Sequence, residues 1–345
     1  MKTLLQFIDS LKEIPTTAAW YLSDLGEARG KQELYTRQSQ QKLNVLRQHA
    51  LIESAVSSNR IEGVTVEQNR VKAVILGRSA LHDRDEEEVR GYRNALKWIH
   101  EKEPSITEET ILELHSLARG KIGDAGEYKK KDSDIIERYA DGTYSIRFKT
   151  VPASETPKQM EQLILNWKEI TTSTQIHRLI CLAAFNLDFL CIHPFRDGNG
   201  RASRLLLLLQ LYHLGYEVGR YISLERLIEE NKERYYETLK LSSVGWHEGK
   251  HDPWHYIHFI LFILKEACKE FEERVCNTKE PKGAKTEIIE AAIRSMKFGF
   301  TFAELERSCP TVSRDMIRRV LQNMKKTNKI ECMGRGPGTV WKKNG

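Results

Sequence analysis

Two apolar runs dominate the sequence, LICLAAFNLDFLCI over residues 179–192 and LLLLLQLYHLG over residues 205–215. Segments this rich in Leu, Ile and Phe are driven to the centre of a core. In the first run, apolar residues at 179, 180, 183, 184, 187, 190 and 191 repeat with a helical period, and Leu182, Phe185 and Phe189 fill the other side. The pattern predicts a helix buried nearly all round. It is too short to span a bilayer and carries Asn186 and Asp188, so no membrane partner is expected. The segment joining the two runs has the opposite character. HPFRDGNGRASR, residues 193–204, holds a histidine, a carboxylate, two glycines and three arginines.

The chain's 345 residues allow two or three domains and at least one large core. Residues 1–10 lack the unbroken apolar stretch of a secretory signal, and the six cysteines show no CxxC pair, so a cytoplasmic protein with reduced thiols is expected. Charge is unevenly placed. From Pro281 onward there are 14 Lys and Arg against 6 Asp and Glu, a local +8, whereas the first 280 residues carry 40 against 42. The basic surplus therefore belongs to the C-terminal part.

Helical patterning covers most of the chain. Residues 32–56 read as one long helix broken by SSNRIEGVT, and residues 85–100 and 111–118 read as amphipathic helices. Around RYADGTYSIRF, Asp141-Gly142 lies between β-prone runs, a hairpin signal. CNTKEPKGAKT is a linker by composition. Beyond it, three short helices and two strands around GRGPG follow in the order of a winged helix-turn-helix. Ser313 is placed to cap the last helix, with Ile317, Val320, Leu321 and Met324 facing inward and Arg314, Arg318, Gln322 and Lys325 facing outward.

The charged loop has a chemical reading. Pro194 disfavours helical geometry at the preceding residue, so the first helix should end at His193. Gly198 and Gly200 let successive N–H groups turn inward as an anion nest, and the free N–H groups of the next helix add to it. Arg201 and Arg204 share one face of that helix's first turns. Asp197 offers one hard oxygen, suited to Mg²⁺ alongside phosphate oxygens. His193 is the one group in the loop that exchanges a proton near neutral pH. These parts compose a polyphosphate site beside a general base. A P-loop is excluded, because GxxxxGK[ST] occurs nowhere in the chain.

These twelve residues resemble the Fic family signature HxFx[DE]GNGRxxR at every defined position. The resemblance implies a mainly α Fic helical fold with a small β-hairpin flap, and transfer of AMP from ATP to a protein hydroxyl. It implies His193 as the base for a target Ser, Thr or Tyr, and Asp197 as the holder of Mg²⁺. Gly198, Asn199, Gly200, Arg201 and Arg204 would grip the phosphates, and Phe195 would anchor the loop. SSNRIEG resembles the family's inhibitory motif [ST]xxxE[GN] through Ser58, Glu62 and Gly63. The implied brake is a Glu62–Arg204 ion pair competing with the γ-phosphate. The hairpin matches the flap in position, with Arg147, Phe148, Lys149 and Thr150 lining the nucleotide site, and Tyr235 and Tyr236 resemble the aromatics beside the adenine. Where the family often has Gly-x-aromatic-Arg, GEYKK puts Lys129 in the arginine's place.

On this reading the chain divides into an N-terminal helical region over 1–85 with the inhibitory motif, a Fic catalytic core over 86–275, a linker over 276–285 and a winged-helix domain over 286–345. Self-modification is expected alongside transfer to a target. Removal of AMP or transfer of another nucleotide is the alternative within the class, and DNA binding through the winged helix is the alternative outside it. The winged helix also admits a protein partner, and a second copy of the chain is admitted as a homodimer partner. His247, His251, His255 and His258 suggest a metal by spacing, but Gly249 and Pro253 forbid one helix through all four.

Overall fold

The computed structural model describes residues 2–343 except 11–12, 37–39, 76, 78–79, 121–122, 139–141, 173–175, 277–283, 297–298, 310–311 and 335–338. Six helices come first: α1 (Thr3–Ser10), α2 (Thr16–Thr36), α3 (Gln40–Ile61), α4 (Gln68–Ile75), α5 (Arg84–Lys102) and α6 (Glu108–Arg119). An antiparallel hairpin follows, β1 (Ile135–Arg138) with β2 (Tyr144–Phe148), its register shifted between Ile135 and Ile136. Next come α7 (Thr156–Thr172), α8 (Arg178–Ile192), α9 (Asn199–His213), α10 (Leu224–Glu230), α11 (Lys232–Ser243) and α12 (Trp254–Cys276). The C-terminal part holds α13 (Ala284–Ser295), β3 (Phe300–Thr301), α14 (Phe302–Ser308), α15 (Arg314–Lys326), β4 (Ile330–Met333) and β5 (Val340–Lys343). Its strands form an antiparallel sheet in the order β3-β5-β4.

The fold is mainly helical, and its buried residues fall into two clusters. One runs from Leu4 to Val275; the other joins Ile289 of α13 to Leu305, Ile317, Leu321 and Ile330, with Trp341 packed against it. At the heart of the larger cluster lie α8 and α9. Every residue from Leu179 to Ile192 is buried, as is every one from Leu205 to Tyr212.

The two buried polar residues of α8 hold its neighbours. Asn186 Nδ2 donates to the Ser203 carbonyl at 2.7 Å, and Tyr256 Oη donates to Asn186 Oδ1 at 2.6 Å, tying α8 to α9 and α12. Asp188, fully buried, accepts from the N–H and hydroxyl of Thr3 at 3.0 and 2.6 Å, from the Leu4 N–H at 3.1 Å and from Trp246 Nε1 at 2.7 Å. A buried carboxylate needs such donors, and the first turn of α1 has free N–H groups to give.

Several boundaries differ from the sequence reading. The expected helix over 32–56 is two helices, α2 and α3, with residues 37–39 outside the described set. Nor does SSNRI break α3. Ser57, Ser58 and Asn59 are buried within it, Asn59 Nδ2 donating to the Ala55 carbonyl at 2.8 Å. Packing overrides the weak helix preference of Ser and Asn; the chain turns out only at Glu62 and at Gly63, where φ is 85°. Ser313 stands at the N-cap of α15 but its side chain makes no capping bond there. Asp141 and most of the proposed linker and the GRGPG turn lie outside the described residues, whereas Gly142 has the left-handed φ of 84° that a tight hairpin uses.

Close packing of α5 on α6 requires Gly91, where a Cβ would stand 2.6 Å from the Leu117 carbonyl oxygen and 2.8 Å from that of Ala118. Gly91→Ala is expected to lower stability by about 1–3 kcal/mol through overpacking, as read from the midpoint of urea unfolding.

Candidate active site

Local chemistry shapes the loop between α8 and α9. Pro194 ends α8, and His193 takes a left-handed conformation (φ 54°, ψ 61°) while its N–H donates to the Phe189 carbonyl at 3.0 Å. Phe195 is fully buried and stacks on His115, ring centroids 3.7 Å apart. His115 Nδ1 accepts from the Gly126 N–H at 3.0 Å, so its Nε2–H donates to the Asp197 carbonyl at 2.9 Å. Burial pushes His115 down to about 4 and keeps it in that neutral form. The Asn199 amide closes the turn: Oδ1 accepts from the Phe195 N–H at 2.9 Å and Nδ2 donates to the Phe195 carbonyl at 2.7 Å. Gly198 supplies the left-handed φ of 83°. Gly200 is already helical, so its role differs from the nest expected of it. A Cβ there would overlap Glu62 Oε1.

Glu62 thus lies against the first turn of α9, where free N–H groups favour an anion. Arg204 holds it there. The Arg204 guanidinium, 3% exposed, donates from Nη2 to Glu62 Oε1 and to the Ser58 carbonyl, and from Nε to Ser58 Oγ, each at 2.8 Å. Burial opposes the charge of Arg204 most strongly, but Glu62, Tyr235 and Tyr92 together outweigh it, so the guanidinium is held above its ordinary range. Gly63 closes α3 just beyond, and of the predicted trio Ser58, Glu62 and Gly63 the first two meet Arg204.

Arg201 takes another path. It pairs with Glu88 at 2.8 Å and reaches Asn59 Oδ1 at 3.3 Å, all buried. Glu88 also pairs with Arg119 at 2.8 Å, and Arg119 pairs with Asp197 at 2.8 Å. Arg84 adds a second guanidinium at 3.1 Å from Asp197, whose Oδ1 accepts from the Gly198 N–H at 2.6 Å. Burial works against the Asp197 charge, but Arg119, Arg201, the Gly198 N–H and Arg84 together hold its carboxyl below the usual range. Its side chain is 51% exposed. Among the described residues no group of three or more His, Cys, Asp or Glu is arranged to hold a metal ion. A single exposed carboxylate fits Mg²⁺ when phosphate oxygens complete the shell.

A cleft of about 280 Å³ opens beside the loop. Its lining mixes polar groups, among them His193, Gly200, Glu62 and Arg147, with the apolar surfaces of Leu187, Leu190, Tyr235, Tyr236 and Leu239. His193 is pushed down to about 4, by burial first and the nearby Lys129 charge second, while the Leu190 carbonyl, Glu62 and Asp197 act the other way. It is therefore neutral at physiological pH. Arg147 Nη2 donates to the Tyr236 carbonyl at 2.9 Å, and Tyr236 Oη donates to the Ile61 carbonyl at 3.3 Å. Phe148 lines the cleft and stacks on His247. Lys149 and Thr150 do not line it. The Lys149 carbonyl accepts from His247 at 2.7 Å, and Thr150 is buried with its hydroxyl bonded to Lys129 and the Ser133 carbonyl. His251 bonds to Thr3 and His255 pairs with Asp252, so the four histidines do not converge.

His115, Arg119, Glu88, Arg84 and Asn59 are site residues that the sequence reading missed. A signal existed for two of them: Glu88 and His115 fall in register with the apolar stripes of α5 and α6, where a polar residue needs a partner.

Residues 105–211 match the model of the Fic/DOC family. The chain is 26% identical over 199 residues to a protein adenylyltransferase Fic of Nematostella vectensis, covering 54% of this chain and 42% of that one. A protein adenylyltransferase Fic of Drosophila persimilis is 26% identical over 216 residues, 60% of this chain and 39% of its own. The chain thus spans about two fifths of the length of these curated relatives. Among solved structures, a Fic family protein from Desulfovibrio desulfuricans superposes with a TM-score of 0.62 at 24% identity, over 96% of this chain and 97% of that one. A Fic domain containing signaling protein from Bacteroides thetaiotaomicron gives 0.63 at 20% identity, over 75% and 100%.

Proposed function

We propose that this chain, which carries a Fic domain over residues 105–211, transfers AMP from ATP to a Ser, Thr or Tyr hydroxyl of a target protein, itself included, under restraint by Glu62. The observation that carries the reading is that a neutral, half-buried imidazole and the N-terminal turn of a helix open on one cleft. His193 takes the proton of the target hydroxyl as its oxygen bonds the α-phosphorus; the bond from that phosphorus to the bridging oxygen breaks, and pyrophosphate leaves. N–H groups at the start of α9 and Arg204, once freed, hold the phosphate oxygens. The apolar part of the lining, with Tyr235 and Tyr236, suits a base. Asp197 would hold Mg²⁺, whose charge offsets that developing on the phosphates.

The relatives' names support adenylyl transfer, and their partial coverage leaves target and setting to this chain. No described helix is long and apolar enough to cross a membrane. Cys181, Cys191, Cys268, Cys309 and Cys332 are free thiols, which suits the cytoplasm. Incubation with ATP labelled at either phosphate tests the reaction. Label from the α position is expected on protein and label from the γ position is not; the converse would mark a kinase and overturn the assignment.

A second reading concerns the C-terminal part, which we take to be a winged helix. Arg318 is exposed on α15 opposite Ile317, Val320 and Leu321, which are buried. With the local surplus of +8, this face suits a phosphate backbone. Affinity for duplex DNA that falls steeply with salt is the expected result, and no binding at low salt removes this reading alone.

A further inference from the structure

Lys129 is buried, 4% exposed, and touches both neighbours of His193. Its main-chain N–H donates to the Pro194 carbonyl at 2.9 Å, and its Nζ donates to the Ile192 carbonyl at 3.3 Å. Between those carbonyls His193 has a φ of 54°, which a residue with a Cβ seldom adopts and which its surroundings must impose. Nζ also donates to Thr150 Oγ1 at 2.7 Å, and that hydroxyl donates to the Ser133 carbonyl at 2.8 Å. The Thr150 N–H donates to Asp134 Oδ1 at 3.2 Å. Ser133 and Asp134 line the cleft just before β1, and Thr150 follows β2. One ammonium group therefore joins the turn that carries His193 to the base of the hairpin.

We propose that Lys129 is a positioning residue for His193, holding its left-handed turn from both sides and fixing it to the root of the β1–β2 hairpin. This role rests on the reading of His193 as the base. The charges around the pair agree with it. Burial lowers Lys129 to about 8 against the pull of Asp132 and Asp134, and the Lys129 charge helps to depress His193, with Glu62 and Asp197 opposing. Below about pH 8 the lysine is charged and the clamp is intact.

The test compares Lys129→Met, Lys129→Arg and His193→Ala in the full chain, each in a Glu62→Gly background. Lys129→Met is expected to lower kcat on the order of 10-fold with the KM for ATP unchanged, because the base is misplaced while the phosphate seat is not. The acid limb of its kcat profile is expected to move to higher pH as the imidazole loses a cationic neighbour. Lys129→Arg, which keeps a buried cation, is expected to restore both. Unchanged kcat and an unmoved acid limb in Lys129→Met, with His193→Ala inactive, overturn the role of Lys129 and leave the base in place. An active His193→Ala overturns the base and the role of Lys129 together. Where Lys129→Met does not fold, Lys129→Arg decides: it is expected to remove the loss of activity above about pH 8, and persistence of that loss overturns the proposal.

Discussion

Replacing His193 by alanine is expected to slow AMP transfer by about 10²–10⁴-fold while calorimetry still detects ATP binding. The imidazole of His193 lines the cleft, is neutral at physiological pH and is able to accept a proton. The parts that hold phosphate are separate from it, so affinity should survive its loss. The pH dependence follows from its depression to about 4. Above that value the ring is unprotonated and serves as base, so the acid limb of kcat/KM, which reports the free enzyme, should lie well below the ordinary histidine range. Stability carries the same signature. The unfolded histidine takes up a proton near pH 6.5 that the folded one refuses until about 4, so this group's contribution falls as pH drops through that window. Full activity in His193→Ala would end the assignment.

Glu62→Gly is expected to raise transfer roughly 5–150-fold, the span of a coupling of about 1–3 kcal/mol. Glu62 does two things at once: it occupies Arg204, and it lies where an added Cβ on Gly200 would overlap it. A triphosphate meets both a spent guanidinium and a like charge at the helix N-terminus, and an arginine–carboxylate fork competes directly with an arginine–phosphate one. Glycine removes the carboxylate and leaves the turn after α3 intact. The measurement is incorporation of α-labelled AMP into the protein itself. An unaltered rate would dismiss the brake without touching His193. Arg204→Ala in the same background separates the parts, since releasing the brake cannot help once its partner is gone.

Much of this geometry is legible in the sequence where a local rule acts. Pro194 places the end of α8, Gly198 the turn, and the Leu and Phe period the burial of two helices. The rest depends on contacts far apart in the chain. Arg201 and Arg204, three residues apart, face different partners because Glu88 arrives from α5 and Ser58 with Glu62 from α3. No spacing in the loop announces which helix supplies the carboxylate. Asn199 is read as part of a phosphate grip, yet its amide is spent on the Phe195 backbone. Thr150 is read as lining the cleft, yet alternation along β2 ends at Phe148 and the Thr150 hydroxyl is spent on Lys129 and the Ser133 carbonyl. Lys129 stands out in sequence only as a departure, and its partners appear once the fold brings residues 150 and 192 beside it.

The carboxylate of Asp188 lies little more than one turn before His193, and it binds the chain's third and fourth residues together with an indole some sixty positions downstream. On the ribosome, α1 is made about 185 residues before this carboxylate, and eight residues hold little helix by themselves. A nascent chain that stops short of Trp246 lacks the indole among the donors of Asp188, so truncated products should lack a competent centre even when the whole loop has been made.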